Sequence, residues 1–444
     1  MLRYILFNMQ LLFMLKKLLN IFLLTISLLS VMILIISPAY LFNNETSRQI
    51  RMSFAKQKVA PQRLFVNSWR TIKAVYIDPT MNNQDWNRWK RRYLKQIKTN
   101  DDVIVAVNSM LASLDDENSE FLNSKKFKLQ SDYIKENSAS KPKFKPDFIT
   151  RKKDKKPAKI LLTTIAGVVS KAEVVASSSS YSDPKVHDEI VGIDGYPLLG
   201  TEMNTAIKLI QGKNSIQRLN IIRNGKIITT ISLQGSMDID KMSSELLPEK
   251  ILLINIFTLM EANSIKYFVG FLNNYPNIKG IIIDLRGNAG GLFPNAIDFA
   301  DVFIDNGTIT TIEYRNGYRI DVNAQIPYNI LKKPTVILID KRTASASEVF
   351  AGALKYNKAA ILVGTNTYGK TSIQKIIPMQ NNMGINITIA KYLVNKNCDI
   401  TKRGIEPDYK VGLSIRDILN NDDKQLKEAI KIINQAAAKN NSKR

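Results

Sequence analysis

Cysteine and histidine are almost absent from this sequence, which has one of each among 444 residues: Cys398 and His187. A single cysteine excludes an intramolecular disulfide, and with a single histidine it also excludes a metal site built from Cys and His ligands. Because no cysteine lies near the start, there is no N-terminal lipobox. His187 lies in the polar stretch "PKVHDEI", which is predicted to be a surface loop, so a catalytic triad built around it is not expected.

Acidic residues are scarce relative to basic ones, with 39 Asp and Glu against 63 Lys and Arg and a net charge of +24. A positive surplus is typical of chains that bind nucleic acid or an anionic membrane surface. It also arises when lysines are simply spread over solvated faces. The basic residues are not gathered into one patch with aromatic residues, and no nucleic-acid-binding motif occurs. We therefore expect mostly solvated charge and no nucleic-acid partner.

A long uncharged apolar run occurs near the N-terminus, at residues 18–42, directly after Lys16 and Lys17. It is long enough to cross a hydrocarbon core of about 30 Å, and the paired lysines predict that the chain after it lies outside the cytoplasm. It also exceeds the usual signal-peptide core, although "SPA" at 37–39 would permit cleavage. Residues 1–42 are thus predicted to be a signal anchor or a signal peptide. The expected location is the bacterial cell envelope, either anchored in the inner membrane and facing the periplasm or released into the periplasm.

Two segments with different composition follow this run. Residues 43–134 carry apolar side chains at 3–4 spacing and are predicted to be a helical region, in which Asp101 caps the helix "DDVIVAVNSMLASL". Residues 135–157 are rich in lysine and contain proline, which is typical of a solvated linker.

The rest of the chain is predicted to be a β module followed by an α/β core. Residues 158–235 contain short alternating runs, with a hairpin turn at Asn224-Gly225 and one internal helix. Residues 243–415 alternate helical segments with the short apolar runs "ILLINIF", "GIIIDL", "PTVILID" and "AAILVG". Residues 416–444 form a final helix and tail. The predicted fold class is therefore mixed α/β.

Three hydroxyl side chains, Thr343, Ser345 and Ser347, lie in the stretch "KRTASASEVF", where a predicted strand gives way to a helix. Free N–H groups at a helix N-terminus stabilise negative charge, so a serine here would lie beside donors suited to an oxyanion. Ser and Thr are also ordinary helix caps. The residues alone do not choose between a nucleophile and a cap, or between Ser345 and Ser347.

Two further stretches could complete such a site. "GIIIDLRGNAGGLF" places Gly287, Gly290 and Gly291 in a tight turn, where backbone N–H groups can point into a site without obstruction by side chains. The turn matches neither GxxxxGK[ST] nor GxGxxG, the phosphate-binding patterns. With no suitable histidine, the base would have to be a lysine, a role open to lysines in buried surroundings. Lys370, in "YGKTSIQ", follows a predicted buried strand and a glycine, although most lysines are solvated.

Taken in this order, the segments resemble the C-terminal-processing, or tail-specific, serine peptidases from about residue 65 to residue 430. The resemblance is carried by "TASASEVFAGALKYNKAAILVGTNTYGKTSIQKIIPM", "KGIIIDLRGNAGGLFPNAIDFADVFI" and "RGIEPDYKV". "DWNRWKRRYL" and "MLASLDDENSEFL" are similar to the helical N-terminal part of that family. The combination covers about four fifths of the chain.

The resemblance implies a serine–lysine dyad. Matched to this sequence, Ser345 is the nucleophile, Lys370 is the base, and Gln374 orients the lysine. The oxyanion would be bound by the backbone N–H groups of Gly291 and Ala346. No metal or cofactor is implied.

The resemblance also implies a PDZ domain at residues 158–235, a module that binds C-terminal peptides by strand addition. The glycine-rich loop expected near residues 150–160 is replaced here by "TRKKDKKPAKI". The implied enzyme is a serine endopeptidase that cuts exported proteins near their C-terminus through an acyl-enzyme. Its expected partners are protein or peptide substrates, an adaptor protein, and the membrane through the N-terminal segment. The alternative hypotheses are a non-catalytic PDZ-bearing envelope scaffold and a basic lipid-surface or nucleic-acid binder.

Overall fold

The structure is a computed structural model, and it divides the chain into two compact units. The residues that it describes are 52–138, 158–165, 168–176, 184–199, 201, 205–206, 209–210, 216–233, 237–239, 242–260, 264–325, 332–414, 416–417, 420 and 422–441. The first unit falls within Met1–Asp132 and Gln374–Ile389, and the second within Tyr133–Ile373 and Ala390–Arg444. None of the helices formed by the described residues is long and apolar enough to span a membrane. The apolar run at 18–42 lies outside those residues, so its role stays a prediction, as does that of most of the linker.

The helices and strands alternate through most of the described chain. The helices are α1 (Pro61–Val75), α2 (Asn87–Tyr93), α3 (Asn100–Ala112), α4 (Ser124–Ser138), α5 (Ser264–Asn274), α6 (Phe293–Asp301), α7 (Ala346–Tyr356) and α8 (Lys424–Asn441). The strands of the β module and its surroundings are β1 (Glu120–Leu122), β2 (Ala158–Ile165), β3 (Val168–Ala176), β4 (Glu189–Ile193), β5 (Tyr196–Pro197), β6 (Ile216–Arg223), β7 (Lys226–Leu233) and β8 (Met237–Ile239). The later strands are β9 (Met242–Leu247), β10 (Ile251–Ile256), β11 (Gly280–Asp284), β12 (Thr308–Tyr314), β13 (Arg319–Asn323), β14 (Thr335–Ile339), β15 (Ile361–Gly364), β16 (Ser372–Met379), β17 (Met383–Leu393) and β18 (Tyr409–Lys410).

The first unit is mainly helical, as its apolar periodicity predicts. In α1, Leu64, Phe65 and Ile72 recur at helical spacing and are fully buried in one apolar cluster with residues of α3. The prediction of Asp101 as the cap of α3 is wrong. The cap is Thr99, whose hydroxyl accepts from the Asp102 N–H while the Asp102 carboxylate accepts from the Thr99 N–H. Thr99 has the extended backbone that a cap needs, whereas Asp101 already lies in the first helical turn.

The β module of the second unit is one sheet, with strand order β7-β6-β4-β3-β2-β8 and β5 paired to β4. The predicted hairpin is confirmed: Arg223 pairs with Lys226, and Asn224 and Gly225 both have positive φ, as a type I′ turn requires. Residues 205–206 and 209–210 are helical, within the region where an internal helix is predicted.

The α/β core of the second unit is a six-stranded sheet with the order β18-β15-β14-β11-β10-β9. All neighbours are parallel except β9, which runs antiparallel to β10. Alternate residues of β11 enter two different apolar clusters. Ile281 and Ile283 pack with side chains of α5, α6 and α7, whereas Ile282 packs with side chains of α8. Burial on both faces explains why the parallel strands are continuous apolar runs in the sequence.

The sheet also brings the two predicted site segments together. β11 and β14 are parallel neighbours, so their carboxyl ends lie at the same edge of the sheet. The glycine turn at 287–291 follows β11, and the serine corner at 340–345 follows β14. Ligands of open α/β sheets bind at this kind of edge.

The antiparallel strands β12, β13, β16 and β17 were not predicted from the sequence. Within the second unit, β12 pairs with β13 and with the last residues of β17, where Ile312 is opposite Tyr392. Within the first unit, β1 pairs with the beginning of β17, where Phe121 is opposite Ile385. Tyr392 lies in the part of β17 that belongs to the second unit.

Candidate active site

Ser345 lies at a strained corner between β14 and α7. Its backbone angles are φ 57° and ψ −124°, in a region that residues other than glycine seldom adopt. Conformations of this kind cost about 1–3 kcal/mol and persist only where the surroundings enforce them. The Ser345 N–H donates to Oε2 of Glu348 at 2.8 Å, and the Ser345 carbonyl accepts from the Glu348 N–H at 2.8 Å.

The structure separates the three hydroxyls of this corner. Thr343 is buried, and its Oγ1 donates to the Leu285 carbonyl at 2.9 Å and accepts from the Asp340 N–H at 3.0 Å. Ser347 is also fully buried, and its Oγ has no hydrogen-bond partner among the described residues. Ser345 is partly exposed and lines a cavity. Ser345 is therefore the hydroxyl of the three that a substrate can reach.

That cavity also contains the predicted base. It has a volume of about 250 Å³ and is lined by Phe257, Thr258, Met260, Ala289, Gly290, Gly291, Ser345 and Lys370. Ser345 and Lys370 thus face one cavity although 25 residues separate them in the chain. Lys370 is half-buried and follows Gly369, which has a φ of +88° and packs so closely against the backbone of residues 400–404 that a Cβ would collide there. A nucleophile and an amine base in one cavity are the parts that acyl transfer needs.

The glycine turn packs directly against the serine corner. Gly290 has a φ of +99°, and a Cβ at this position would lie 2.7 Å from the Ala344 carbonyl oxygen, 2.9 Å from the Ala346 nitrogen and 3.0 Å from the Ser345 Cβ. A side chain at this position would therefore collide with the corner. Among the described residues, no acceptor is bonded to the N–H groups of Gly291 and Ala346. Gly291 lines the cavity, and Ala346 directly follows Ser345, which also lines it.

Hydrogen bonds fix the turn and the corner to each other. The Ala344 N–H donates to the Asn288 carbonyl at 3.0 Å, and the Asn288 amide donates to the Ile256 carbonyl at 2.8 Å. The Gly287 N–H donates to Oδ1 of Asp340 at 2.9 Å. Because these groups are buried, their pairing holds the glycine turn in one position relative to Ser345.

A buried ion-pair cluster anchors the start of the turn. The Arg286 guanidinium binds Asp284 at 2.6 Å and Asp423 at 2.8 Å, and it also donates to Gln425 at 2.9 Å. Burial raises the pKa of Asp284, although the adjacent guanidinium opposes that rise. The cluster links the chain just before the glycine turn to α8.

Glu348 is a site residue that the sequence reasoning missed. Its side chain is fully buried on the first turn of α7. Oε2 accepts from the Ser345 N–H at 2.8 Å and the Lys370 N–H at 2.9 Å, while Oε1 accepts from the Thr367 hydroxyl at 2.5 Å and the Gly369 N–H at 2.6 Å. Burial raises the pKa of Glu348, and these hydrogen bonds oppose the rise. The spacing S-x-x-E in "SASE" is a capping-box signal that could have identified it.

Tyr392 is a second residue that was missed. Its hydroxyl lies 2.7 Å from the Lys370 carbonyl oxygen, 3.0 Å from the Ser345 carbonyl oxygen and 3.4 Å from Oε2 of Glu348. Burial raises the pKa of Tyr392 well above its ordinary value, so the hydroxyl remains a donor. No local sequence pattern distinguishes this tyrosine, because its place in the site depends on the pairing of β17.

Gln374 is the predicted site residue that belongs to the other unit. It lies half-buried on β16 in the first unit, where its side-chain amide donates to the Thr388 hydroxyl at 3.1 Å. Ser345, Lys370, Gly291 and Ala346 all belong to the second unit. The role of Gln374 in orienting the lysine stays a prediction.

Comparison with known proteins identifies the part of the chain that contains Ser345, Lys370 and the glycine turn. The profile of peptidase family S41 matches residues 250–411. The carboxyl-terminal-processing peptidase 2 of Arabidopsis thaliana chloroplasts is 30% identical over 364 residues, which cover 78% of this chain and 68% of that protein. The carboxy-terminal processing protease of Bacillus subtilis is 30% identical over 338 residues, covering 74% of this chain and 68% of that protein.

A solved structure shows the same fold. The photosystem II D1 C-terminal processing protease superposes with a TM-score of 0.52 at 24% sequence identity, covering 80% of this chain and 94% of that chain.

Proposed function

This chain belongs to peptidase family S41 and is a serine peptidase of the carboxyl-terminal-processing type, and we propose that Ser345 and Lys370 form its catalytic dyad. The observation that carries the proposal is the cavity in which Ser345, Lys370 and the glycine turn meet. Burial removes Ser347 and Thr343 as competing nucleophiles.

The mechanism follows from the groups that line this cavity. Neutral Lys370 takes the proton from the Ser345 hydroxyl as Oγ attacks the scissile carbonyl carbon. The N–H groups of Gly291 and Ala346 stabilise the oxyanion of the tetrahedral intermediate. The lysine ammonium then gives its proton to the leaving amine. In deacylation, Lys370 takes a proton from the attacking water and returns it to Ser345.

Three single variants test the dyad. Ser345→Ala removes the nucleophile, and Lys370→Arg replaces the base with a guanidinium that stays protonated and cannot take the proton. Both are expected to lose at least a thousandfold in the rate of cleavage of an unfolded protein substrate, a loss typical of catalytic-group removal. Ser347→Ala is the matched control and should cleave at the wild-type rate. Full activity in Ser345→Ala or Lys370→Arg would show that the dyad assignment is wrong.

We propose that Gln374 orients the lysine, because a neutral amide can hold an amine without favouring its charged form. Gln374→Ala should lower kcat, whereas Gln374→Glu should lower it further at neutral pH, because a carboxylate favours the ammonium form. Equal rates in the wild type and both variants would contradict this role.

We further propose that the enzyme acts in the bacterial cell envelope, tethered by residues 18–42. The support is the length of that uncharged run and the lysines before it. Full-length protein expressed in a Gram-negative host should stay in the membrane fraction after an alkaline wash and should be digested by protease added to spheroplasts. Recovery of the full-length chain in the cytosolic fraction would contradict the proposal.

The β module is proposed to bind the C-terminal segment of substrates as a PDZ domain does. The support is its sheet, in which every described strand pair except the parallel pair β2–β8 is antiparallel, together with a helical region and its position before the α/β core. Ser345→Ala protein should bind a peptide with a free C-terminal carboxylate more tightly than the same peptide with a C-terminal amide. Equal affinities would show that the carboxylate is not recognised.

A further inference from the structure

We propose that Glu348 and Tyr392 are positioning residues of the peptidase reaction, which together hold the main chain of Ser345 and Lys370 in one arrangement. The inference rests on the proposed dyad. It goes beyond it because neither Glu348 nor Tyr392 lines the cavity or meets the substrate. They therefore affect the reaction only through Ser345 and Lys370, which do line the cavity.

The need for such a device follows from the topology. Ser345 lies at the start of α7, while Lys370 lies in the loop between β15 and β16, so no short covalent path fixes their separation. Efficient proton transfer requires the hydroxyl and the amine to approach within hydrogen-bond distance. A displacement of about 1 Å can reduce an enzymatic rate by about 100-fold.

The contacts of Glu348 meet this need. A single carboxylate oxygen, Oε2, accepts from the N–H groups of both Ser345 and Lys370, at 2.8 and 2.9 Å. An ordinary capping box would use only the first of these bonds. The other oxygen binds the Thr367 hydroxyl and the Gly369 N–H, which fixes the chain just before Lys370.

Tyr392 makes the complementary contacts with carbonyl groups. Its hydroxyl lies 2.7 Å from the Lys370 carbonyl oxygen and 3.0 Å from the Ser345 carbonyl oxygen. Thus the N–H and the C=O of each dyad residue lie within hydrogen-bond distance of one of two buried side chains. The tyrosine itself is fixed on β17, opposite Ile312 of β12.

A role in core packing alone does not explain Glu348. Residues Ala346–Leu354 of α7 are all buried, and a carboxylate in such surroundings costs free energy that an apolar side chain would avoid. Four groups donate to this carboxylate and offset the cost. Two are the N–H groups of Ser345 and Lys370. The other two come from Thr367 and Gly369, in the loop just before Lys370. The position of the Glu348 carboxylate is therefore explained by its bonds to the dyad residues and not by packing in the apolar core.

The test compares Glu348→Gln, Tyr392→Phe and the double variant with wild type and with Ser347→Ala. Glutamine keeps one acceptor oxygen but turns the other into a donor, and phenylalanine keeps the ring packing. The concentration of active sites is measured by fluorophosphonate labelling run to completion, so that misfolded protein does not count. kcat and KM on one peptide substrate are then expressed per labelled site.

Glu348→Gln is expected to lower kcat by about 100-fold and Tyr392→Phe by about tenfold, with KM changed less than about threefold. Because both residues act on the same pair, the double variant should lose less than the product of the single losses. Wild-type kcat per labelled site in both single variants would overturn the inference, as would a loss accounted for by the unlabelled fraction alone. If Glu348→Gln does not fold, Tyr392→Phe decides the outcome.

The same experiment separates this inference from the proposed dyad. Activity in Ser345→Ala or Lys370→Arg would refute the dyad itself. Loss of activity in those two variants, with full activity in Glu348→Gln and Tyr392→Phe, would refute only the positioning role.

Discussion

Replacing Gly290 with alanine tests the proposed oxyanion site with a single added methyl group. The new Cβ would lie 2.7 Å from the Ala344 carbonyl oxygen and 2.9 Å from the Ala346 nitrogen. Both neighbours are backbone atoms and cannot rotate away. The glycine turn and the serine corner must therefore separate by about 0.7 Å to restore an ordinary contact of 3.4 Å.

The expected loss in kcat follows from this displacement. It would move Ala346, one of the two proposed oxyanion donors, and removal of one such donor costs about 100- to 1,000-fold in kcat. We expect a loss in this range for Gly290→Ala, with a smaller change in KM. Alanine at a φ of +99° should also lower the free energy of unfolding by about 1–3 kcal/mol.

Gly270→Ala is the matched control. Gly270 lies within α5, and a Cβ there meets no atom within 4 Å. The same chemical change should leave kcat unaltered and should stabilise the fold by up to about 1 kcal/mol through helix propensity. Peptide cleavage is measured at a temperature at which thermal melts show both variants folded. A folded Gly290→Ala enzyme with wild-type kcat would refute the assignment of the oxyanion site to this turn.

Three further predictions concern stability and are measured by denaturant or thermal unfolding. Ser345→Gly should be about 1 kcal/mol more stable than Ser345→Ala, because only glycine adopts the positive φ of this corner without strain; equal stabilities would contradict the strain. Arg286→Met should lower the free energy of unfolding by about 3–5 kcal/mol, because it leaves Asp284 and Asp423 without their shared cation; a loss below 1 kcal/mol would contradict it. Burial disfavours ionised Asp399, but hydrogen bonds from neighbouring side chains outweigh burial and lower its pKa to about 2. Its carboxylate therefore stabilises the fold above pH 4, and the advantage of the wild type over Asp399→Asn should disappear as the pH falls toward 2; an advantage independent of pH would exclude this cause.

The parallel core could be predicted from the sequence because its strands are buried on both faces. All residues of β11 and β14 are buried, so each strand is an uninterrupted apolar run. The antiparallel strands could not be predicted in the same way. β13 alternates between exposed and half-buried residues, and β16 is half-buried along nearly its whole length. Polar side chains therefore interrupt the pattern, and pairing with distant strands decides the structure.

The candidate site was predictable where it is local and unpredictable where it depends on packing. The glycine turn and the serine corner each have a sequence signature. The choice of Ser345 over Ser347 depends on burial, because Ser347 lies inside α7 against the core. Lys370 enters the site because β15 pairs with β14, and Tyr392 because β17 pairs with β12. Neither strand pairing can be deduced from the spacing of residues along the chain.

The cap and the nucleophile are not alternative roles for Ser345, because Ser345 is the N-cap residue of α7 and also lines the cavity. An ordinary N-cap residue has an extended backbone and is not strained, whereas Ser345 has a φ of 57°. Its N–H is satisfied by Glu348, one turn into the helix. Among the described residues, no backbone acceptor is bonded to the Ala346 N–H that follows, which is what the proposed oxyanion role requires. The strain is thus confined to the residue whose hydroxyl must remain in the cavity with Lys370, and the hydrogen bonds that enforce it come from Glu348 and Tyr392.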